Sequence, residues 1–463
     1  MIPLSVLGAL EQLKQKGFAG YLVGGCVRDI CLGRTPHDYD ITTNALPSEI
    51  QTVFSAYRVL TTGIKHGTVT VLLDGTPLEI TTFRGESDYS DHRHPDKVYF
   101  TDSLSADLAR RDFTINAMAM DMEGNLIDPY GGRKDLQKGF IRCVGTPMDR
   151  FQEDALRILR GLRFSARFGF PIEEETSKAM AACAPLLSYV SYERIQNELT
   201  EMLCGTHILS VLLNDTGGVL CTVLPELAPM VGFDQRNPHH VYDVWTHTAH
   251  VVANVPPVPA LRWAALLHDA GKPHCFSIDE QDIGHFYDHA KKSLPLAETI
   301  LTRLRLDNAT KERVLLLIAH HDTPIEPTQK AVRRWLSRLT REGFSQWIAL
   351  KRGDNFGQSP QYRFRQQEYD KIEAIAAETD CFTLRQLAVG GNDLIALGIQ
   401  PGPAMGALLH LLFEKVLSGE LPNEKERLLS YVKENAELKS IKRMNDFEPP
   451  TKDGDLHDRF EEK

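Results

Sequence analysis

Leu22-Val23-Gly24-Gly25-Cys26-Val27-Arg28-Asp29, followed a few residues later by Asp38-Tyr39-Asp40, decides how the N-terminal part of this chain is read. Gly24 and Gly25 end the apolar run Gly20–Val23, and a helix-like segment from Cys26 to Leu32 follows. A glycine pair between strand and helix lets the backbone approach a triphosphate, and a helix start offers N–H groups to its charge. Arg28 adds a cation one turn into that helix. Neither a Walker loop nor a GxGxxG fingerprint is present. If the segment from Asp38 to Thr43 is extended, Asp38 and Asp40 share one face. A hard divalent cation wants such oxygen ligands and leaves room for phosphates. A third acid is expected from a neighbouring strand, and Glu79 supplies it within Leu78–Phe83, after the β-like run Thr68–Leu73. Two metals held this way would activate a 3′-hydroxyl and steady a leaving pyrophosphate. An isolated Asp-x-Asp is most often a turn; the preceding Gly-Gly corner is what changes the reading.

A second pattern lies at Glu153-Asp154-Ala155-Leu156-Arg157-Ile158-Leu159-Arg160. Asp154, Arg157, Arg160 and Arg163 recur every third residue, so one helix can present them as a stripe. Aspartate accepts from an exocyclic amino group and arginine donates in a planar fork. An Asp–Arg pair one turn apart could therefore read cytosine or adenine and reject uracil and guanine. Alone, the pair would be an ordinary i,i+3 salt bridge on a solvated helix.

These two stretches, with Arg110-Arg111-Asp112-Phe113-Thr114-Ile115-Asn116-Ala117 and Asp128-Pro129-Tyr130-Gly131-Gly132 in the same order, resemble the class II tRNA nucleotidyltransferases and bacterial poly(A) polymerases of the polymerase-beta-like superfamily. The resemblance implies an α+β nucleotidyltransferase head with a mixed sheet, followed by a mostly α-helical neck, an HD-type body and a tail. It implies addition of C, C and A to the tRNA 3′ end from CTP and ATP. Mg²⁺ would sit on Asp38 and Asp40, with Glu79 completing the catalytic set. Gly25, Arg28 and Arg111 would hold triphosphate and ribose, and Asp154, Arg157, Arg160 and Arg163 would select the base. Arg111 and Asp112 would contact the incoming sugar and phosphates, and the Asp128–Leu136 segment would be a hinge-like linker without chemistry of its own. The polar stretch from Phe83 to Asp96 matches the loop that the family associates with switching from C to A. Poly(A) polymerase and enzymes adding only CC or only A share the core motifs and stand as alternatives.

The chain has 463 residues, 42% hydrophobic and 25% charged, the balance of a globular protein of several domains. No apolar run reaches the ~18 residues of a membrane span, and Met1–Gly17 reads as an amphipathic helix rather than a signal peptide, so a cytoplasmic protein is expected. Eight cysteines without metal spacing read as reduced thiols. A net charge of −10 argues mildly against an RNA partner. Local basic clusters at Arg157–Arg167, Arg333-Arg334 and Lys439 with Lys442-Arg443 leave room for weak, salt-sensitive RNA binding on one face.

After residue 150 the pattern is helical, with helices expected at 173–187, 192–204 and 207–214. The expected division is a head at 1–140, a neck at 141–225, an HD-type domain at 226–360, a body and tail at 361–444 and a disordered end at 445–463. His247 lies in an apolar helical run, and His268-Asp269 ends another. Imidazoles and a carboxylate so arranged can surround one metal, and the pattern resembles the HD phosphohydrolases. His285, His289, His320, His321, Asp322 and Asp354 are further candidates that spacing does not separate. A phosphohydrolase acting on RNA ends through this site is the rival from a different enzyme class. Oligomeric state is not legible in the sequence.

Overall fold

The computed structural model describes residues 2–73, 75–87, 97–215 and 218–435. They form two compact units, Met1–Ala319 and His320–Lys463. The border falls inside the stretch 226–360.

The first unit opens with α1 (Leu4–Gln15), which buries Val6, Ala9, Leu10 and Leu13 at the spacing of one helical face. β1 (Gly20–Val23) runs through the glycine corner into α2 (Gly25–Cys31) and returns as β2 (Asp40–Thr43). After α3 (Pro47–Val53) come β3 (Arg58–Leu60), β4 (Thr68–Leu73) and β5 (Thr76–Thr82). A hairpin of β6 (Arg84–Ser87) and β7 (Lys97–Phe100) leads to α4 (Leu104–Ala109). β8 (Ala119–Met120) and β9 (Leu126–Ile127) complete a seven-stranded sheet of order β3-β4-β5-β2-β1-β8-β9. Every pair in this sheet is antiparallel except β2 with β5, which run parallel with Asp40 opposite Glu79. β4 alternates as a half-buried strand should, with Val69, Val71 and Leu73 inward.

α5 (Gly132–Lys138) starts where the Asp128 carboxylate accepts the Gly132 and Arg133 N–H groups, at 2.7 and 2.9 Å. α6 (Pro147–Glu153) and α7 (Leu156–Phe168) then carry the chain out of the sheet region. α7 is buried on most of its circumference, and Gly161 lets it approach Phe113, which lies 3.0 Å from where a Cβ would stand. α8 (Glu174–Cys183), α9 (Tyr192–Leu203) and α10 (Ile208–Asp215) lie where the helical period placed them. The expected helix 173–187 tightens to a 3₁₀ turn at Ala184–Tyr189, where Pro185 offers no N–H. α11 (Gly218–Val223), α12 (Val244–Asn254), α13 (Pro259–Leu267), a hairpin of β10 (Ser277–Ile278) and β11 (Gly284–His285), α14 (His289–Arg303) and α15 (Asn308–His320) follow.

The second unit is helical: α16 (Gln329–Gly357), interrupted at Thr340, then α17 (Gln366–Glu378), α18 (Gly391–Ala396), α19 (Pro403–Ser418) and α20 (Lys425–Glu434). Its core gathers Val389, Leu394, Leu408, Leu412, Val416 and Leu428. The expected disordered end at 445–463 and the cluster Lys439, Lys442-Arg443 lie outside the described residues. So do residues 88–96 of the loop linked to C-to-A switching. All eight cysteines are free thiols, and no helix among the described residues is long and apolar enough to cross a membrane.

Two glycines give opposite expectations. A Cβ on Gly132 would stand 2.2 Å from the Thr114 carbonyl oxygen, whereas one on Gly8, inside α1, meets nothing within 4 Å. Gly132→Ala is expected to cost about 1–3 kcal/mol through overpacking. Gly8→Ala is expected to add about 0.5–1 kcal/mol through helix propensity. Urea unfolding curves of the two variants check both signs.

Candidate active site

Parallel pairing of β2 with β5 sets Asp40 beside Glu79 at the sheet's one parallel seam. Burial first, then the neighbouring charges of Glu79 and Asp38, raise the Asp40 carboxyl above the usual carboxylate range, against the opposing pull of Arg111. Asp38 departs from the strand expectation. β2 begins only at Asp40, and Asp38 sits in the bend before it, 84% exposed, with its carboxylate 2.9 Å from His37 Nδ1. Asp40 and Glu79 are paired at this seam and Asp38 lies in the bend just before it, and carboxylate oxygens of this kind suit a hard divalent cation.

Gly24 turns the chain above these acids with φ +73°, a conformation that a side chain would strain. A Cβ there would also stand 3.0 Å from Arg111 Nη1 and 4.0 Å from Asp40 Oδ2, so only glycine lets the arginine and the acid close over the corner. Arg111 is held from the other side by Asp107, whose Oδ2 lies 3.4 Å from Nη2. Asp107 is fully buried and also receives Arg110, at 2.7 Å. Burial raises its carboxyl, and the charges of Arg110 and Arg111 outweigh that to leave it lowered.

Facing the acids is a cavity of about 460 Å³ lined by Gly24, Gly25, Asp40 and Asp112 and by side chains of α7 and its surroundings. It gathers Arg28, Arg111, Asp154, Arg157, Arg160 and Arg163, all expected nucleotide-binding residues, and adds Arg110, Asn116, Phe164, Arg167 and Arg194. Eight arginines against three aspartates make the wall strongly positive, the complement of a triphosphate.

The arginines differ in their freedom. Arg28 is 5% exposed; it bonds Asp29 Oδ1 at 2.9 Å and Asn116 Oδ1 at 2.7 Å, and it lies 4.8 Å from the Phe168 ring centroid. Arg157 donates to Glu153 Oε2 at 2.7 Å and to the Arg150 and Arg110 carbonyls at 3.1 and 3.0 Å, so both terminal nitrogens are engaged with protein acceptors. Arg163 binds Glu198 at 2.6 Å and Glu201 at 2.7 Å and lies over Phe164 at 4.5 Å.

Arg160 grips Asp112 Oδ2 with Nε and Nη2, both at 2.7 Å, while Asp112 Oδ1 accepts the Phe113 N–H and the Asn116 amide. Burial opposes ionisation of Asp112, but Arg160 and these hydrogen bonds prevail and hold its carboxyl at about 2. Asp112 is therefore no surface ion pair; it fastens α7 to the sheet region.

Asp154 also departs from expectation. It is not on the arginine helix: it ends α6 with extended backbone, φ −140° and ψ 102°, and α7 starts at Leu156. Its Oδ1 accepts the Leu156 N–H at 3.1 Å, and its Oδ2 faces Arg194 Nη2 at 3.1 Å. The every-third-residue stripe therefore begins one residue into α7, with the acid beside its start.

Three histidines of the first unit converge on Asp269. Asp269 Oδ2 lies 3.4 Å from His247 Nε2, 3.2 Å from His268 Nε2 and 2.8 Å from Lys272 Nζ, and Oδ1 lies 3.4 Å from His289 Nε2. Burial raises this carboxyl, and His268 and Lys272 more than offset it, leaving it well below the usual range. His285 is set apart: it bonds Asp279 at 2.8 Å across the β10–β11 hairpin. His320, His321, Asp322 and Asp354 belong to the second unit, where Trp347 Nε1 and Lys351 Nζ donate to the His320 and His321 carbonyls.

Carboxylates at a parallel seam, a glycine corner and an arginine-walled cavity define a nucleotidyltransferase. The chain is 34% identical over 433 residues to the CCA-adding enzyme of Geobacillus thermodenitrificans, covering 93% of this chain and 96% of that one. It is also 34% identical to the enzyme of that name from Streptococcus gordonii, over 92% of this chain and 96% of that protein. In solved structures it superposes on the Bacillus stearothermophilus CCA-adding enzyme in complex with CTP, with TM-score 0.67 and 30% identity, over 95% of this chain and 99% of that one. The chain belongs to the CCA-adding enzyme family. Residues 20–142 match the poly A polymerase head domain, 169–230 the RNA and SrmB-binding site of polymerase A, and 279–432 the tRNA nucleotidyltransferase domain 2.

A carboxyl lowered from 3.8 to about 2 contributes roughly 2 kcal/mol of stability, present above the unfolded value and lost as pH falls through the folded one. Asp112→Asn is therefore expected to unfold more easily than the parent at pH 5. The gap should narrow between pH 4 and pH 2, as followed by urea denaturation across that range.

Proposed function

We propose that this protein adds C, C and A to the 3′ end of tRNA, using CTP and ATP and releasing pyrophosphate. The observation that carries the reading is an arginine-lined cavity that holds Asp40 and Asp154, with Glu79 paired to Asp40 on the next strand, within the CCA-adding family. The reaction joins the tRNA 3′-oxygen to the α-phosphorus and breaks the α–β bridge. Asp38, Asp40 and Glu79 are the residues that would hold Mg²⁺; a divalent cation there supplies charge neutralisation and lowers the hydroxyl's pKa. Gly24 and Gly25 bring backbone against the triphosphate, and Arg111 adds its guanidinium beside Asp40. Asp154 presents carboxylate lone pairs to the amino groups that cytosine and adenine share. Arg28 and Arg160, both tied to protein partners, act on the nucleotide chiefly by charge and by fixing the wall. We place this work in the cytoplasm.

Incubation with Mg²⁺ and tRNA lacking its terminus, with CTP and ATP separately and together, tests the reading. CC from CTP and one further A are expected on sequencing the ends; long adenylate tails would move the assignment to poly(A) polymerase. Asp38→Ala with Asp40→Ala is expected to lower incorporation by at least 10³-fold, on the order expected when electrostatic stabilisation of the transition state is removed. Circular dichroism of the double variant should match the parent.

A second reading concerns Asp269. His268 Nδ1 lies 2.8 Å from the Ala265 carbonyl and His289 Nδ1 lies 2.9 Å from the Phe286 carbonyl. A carbonyl only accepts, so each Nδ1 carries a hydrogen, and Nε2 is the ring atom turned toward the Asp269 carboxylate. Imidazole nitrogens converge there on one carboxylate, a donor set that fits a divalent metal. We propose that His247, His268, Asp269 and His289 bind one; such a metal would supply phosphate-ester hydrolysis. Metal analysis of the purified protein should find bound metal that Asp269→Ala loses, with CCA addition retained.

A further inference from the structure

Arg194 was silent in the sequence, where Tyr192-Glu193-Arg194 reads as an ordinary helix start. In the fold it occupies the first turn of α9, where the helix dipole disfavours a cation. Its Nη2 lies 3.1 Å from Asp154 Oδ2, and it lines the same cavity. Its Nη1 is buried with no hydrogen-bond partner among the described residues. A buried donor left unsatisfied is rare where stability alone is served. An unfavourable helix position and an unsatisfied nitrogen are both accepted in order to place one guanidinium nitrogen on Asp154.

That carboxylate is held at two points, by the Leu156 N–H on Oδ1 and by Arg194 on Oδ2. So held, it is an acceptor with fixed lone pairs. The amino groups of cytosine and adenine are donors and can meet it; the O4 of uracil and the O6 of guanine are acceptors and are repelled. A carboxylate free to rotate would have no fixed lone-pair direction with which to tell the two kinds of group apart. We propose that Arg194 is a positioning residue for base selection: it keeps the Asp154 carboxylate oriented, and thereby excludes UTP and GTP. The inference rests on the reading of Asp154 as the base-contacting acid.

The test measures single-nucleotide addition to tRNA lacking its terminus, with CTP and UTP each titrated, for the parent, Arg194→Gln, Arg194→Lys, Asp154→Asn and the double variant Asp154→Asn with Arg194→Gln. Loss of a charge-assisted hydrogen bond predicts that Arg194→Gln lowers the CTP-to-UTP ratio of kcat/KM by about tenfold to hundredfold. The change should lie mostly in KM for CTP. Arg194→Lys keeps the charge without the planar fork and should fall between. In the Asp154→Asn background, Arg194→Gln should add no further loss of selectivity. A purely structural role would lower the thermal midpoint and leave the ratio untouched.

The outcomes separate two failures. If Asp154→Asn leaves the ratio at the parent's value, the base-reading role of Asp154 falls and this inference with it. If Asp154→Asn lowers the ratio while folded Arg194→Gln does not, the inference alone is overturned. Full additivity in the double variant also overturns it, because Arg194 would then act independently of Asp154. Should Arg194→Gln fail to fold, Arg194→Lys decides: a ratio equal to the parent's with raised KM for both nucleotides would count against positioning, and an intermediate ratio would support it.

Discussion

Two carboxylates held side by side by the backbone are the constraint from which the site is built. Asp40 and Glu79 occupy partner positions on β2 and β5, the one parallel pair in an otherwise antiparallel sheet. The ladder that continues from this pair to Thr43 and Thr82 keeps the strands from separating to relieve the repulsion. The fold therefore stores a local excess of negative charge that a cation relieves, and that charge adds to burial in raising the Asp40 carboxyl. Arg111 is close enough to oppose the shift without abolishing it, because burial and Glu79 outweigh it.

The opposite wall faces the converse difficulty. Eight guanidinium groups around one cavity would repel one another, and the protein answers with separate partners: Asp112 for Arg160, Glu153 for Arg157, Glu198 and Glu201 for Arg163, Asp154 for Arg194. Phe164 and Phe168, stacked at 6.2 Å, add ring faces to Arg28, Arg160, Arg163 and Arg167. Each such contact is worth about 0.5–1 kcal/mol where exposed and more when desolvated. The result is a pre-ordered positive surface whose side chains lose little freedom on binding a nucleotide.

What the sequence made legible follows the physics of local pattern. β4 and Glu79 were readable because alternation needs no tertiary information, and α2 because a glycine pair marks the corner. Asp38 and Asp154 lie at the candidate site in a local structure that periodicity does not give. A period-two argument extends a strand through Asp38, and the every-third-residue arginines extend a helix back through Asp154. Both ends were set by backbone conformation that side-chain periodicity does not encode. His285 and His289 could not be told apart by spacing; the β10–β11 hairpin separates them by giving His285 its own acid, Asp279. Arg194 carried no signal, since its partner lies 40 residues away.

A net charge of −10 and an RNA substrate are reconciled by where the positive charge is placed. The cavity alone carries eight arginines and three aspartates, a surplus of five positive charges, so the rest of the chain is more acidic than the total suggests. At physiological ionic strength charges separated by more than about 8 Å are largely screened. A polyanion at a distance meets little attraction, while a triphosphate or a 3′ end inside the cavity meets the full positive surface.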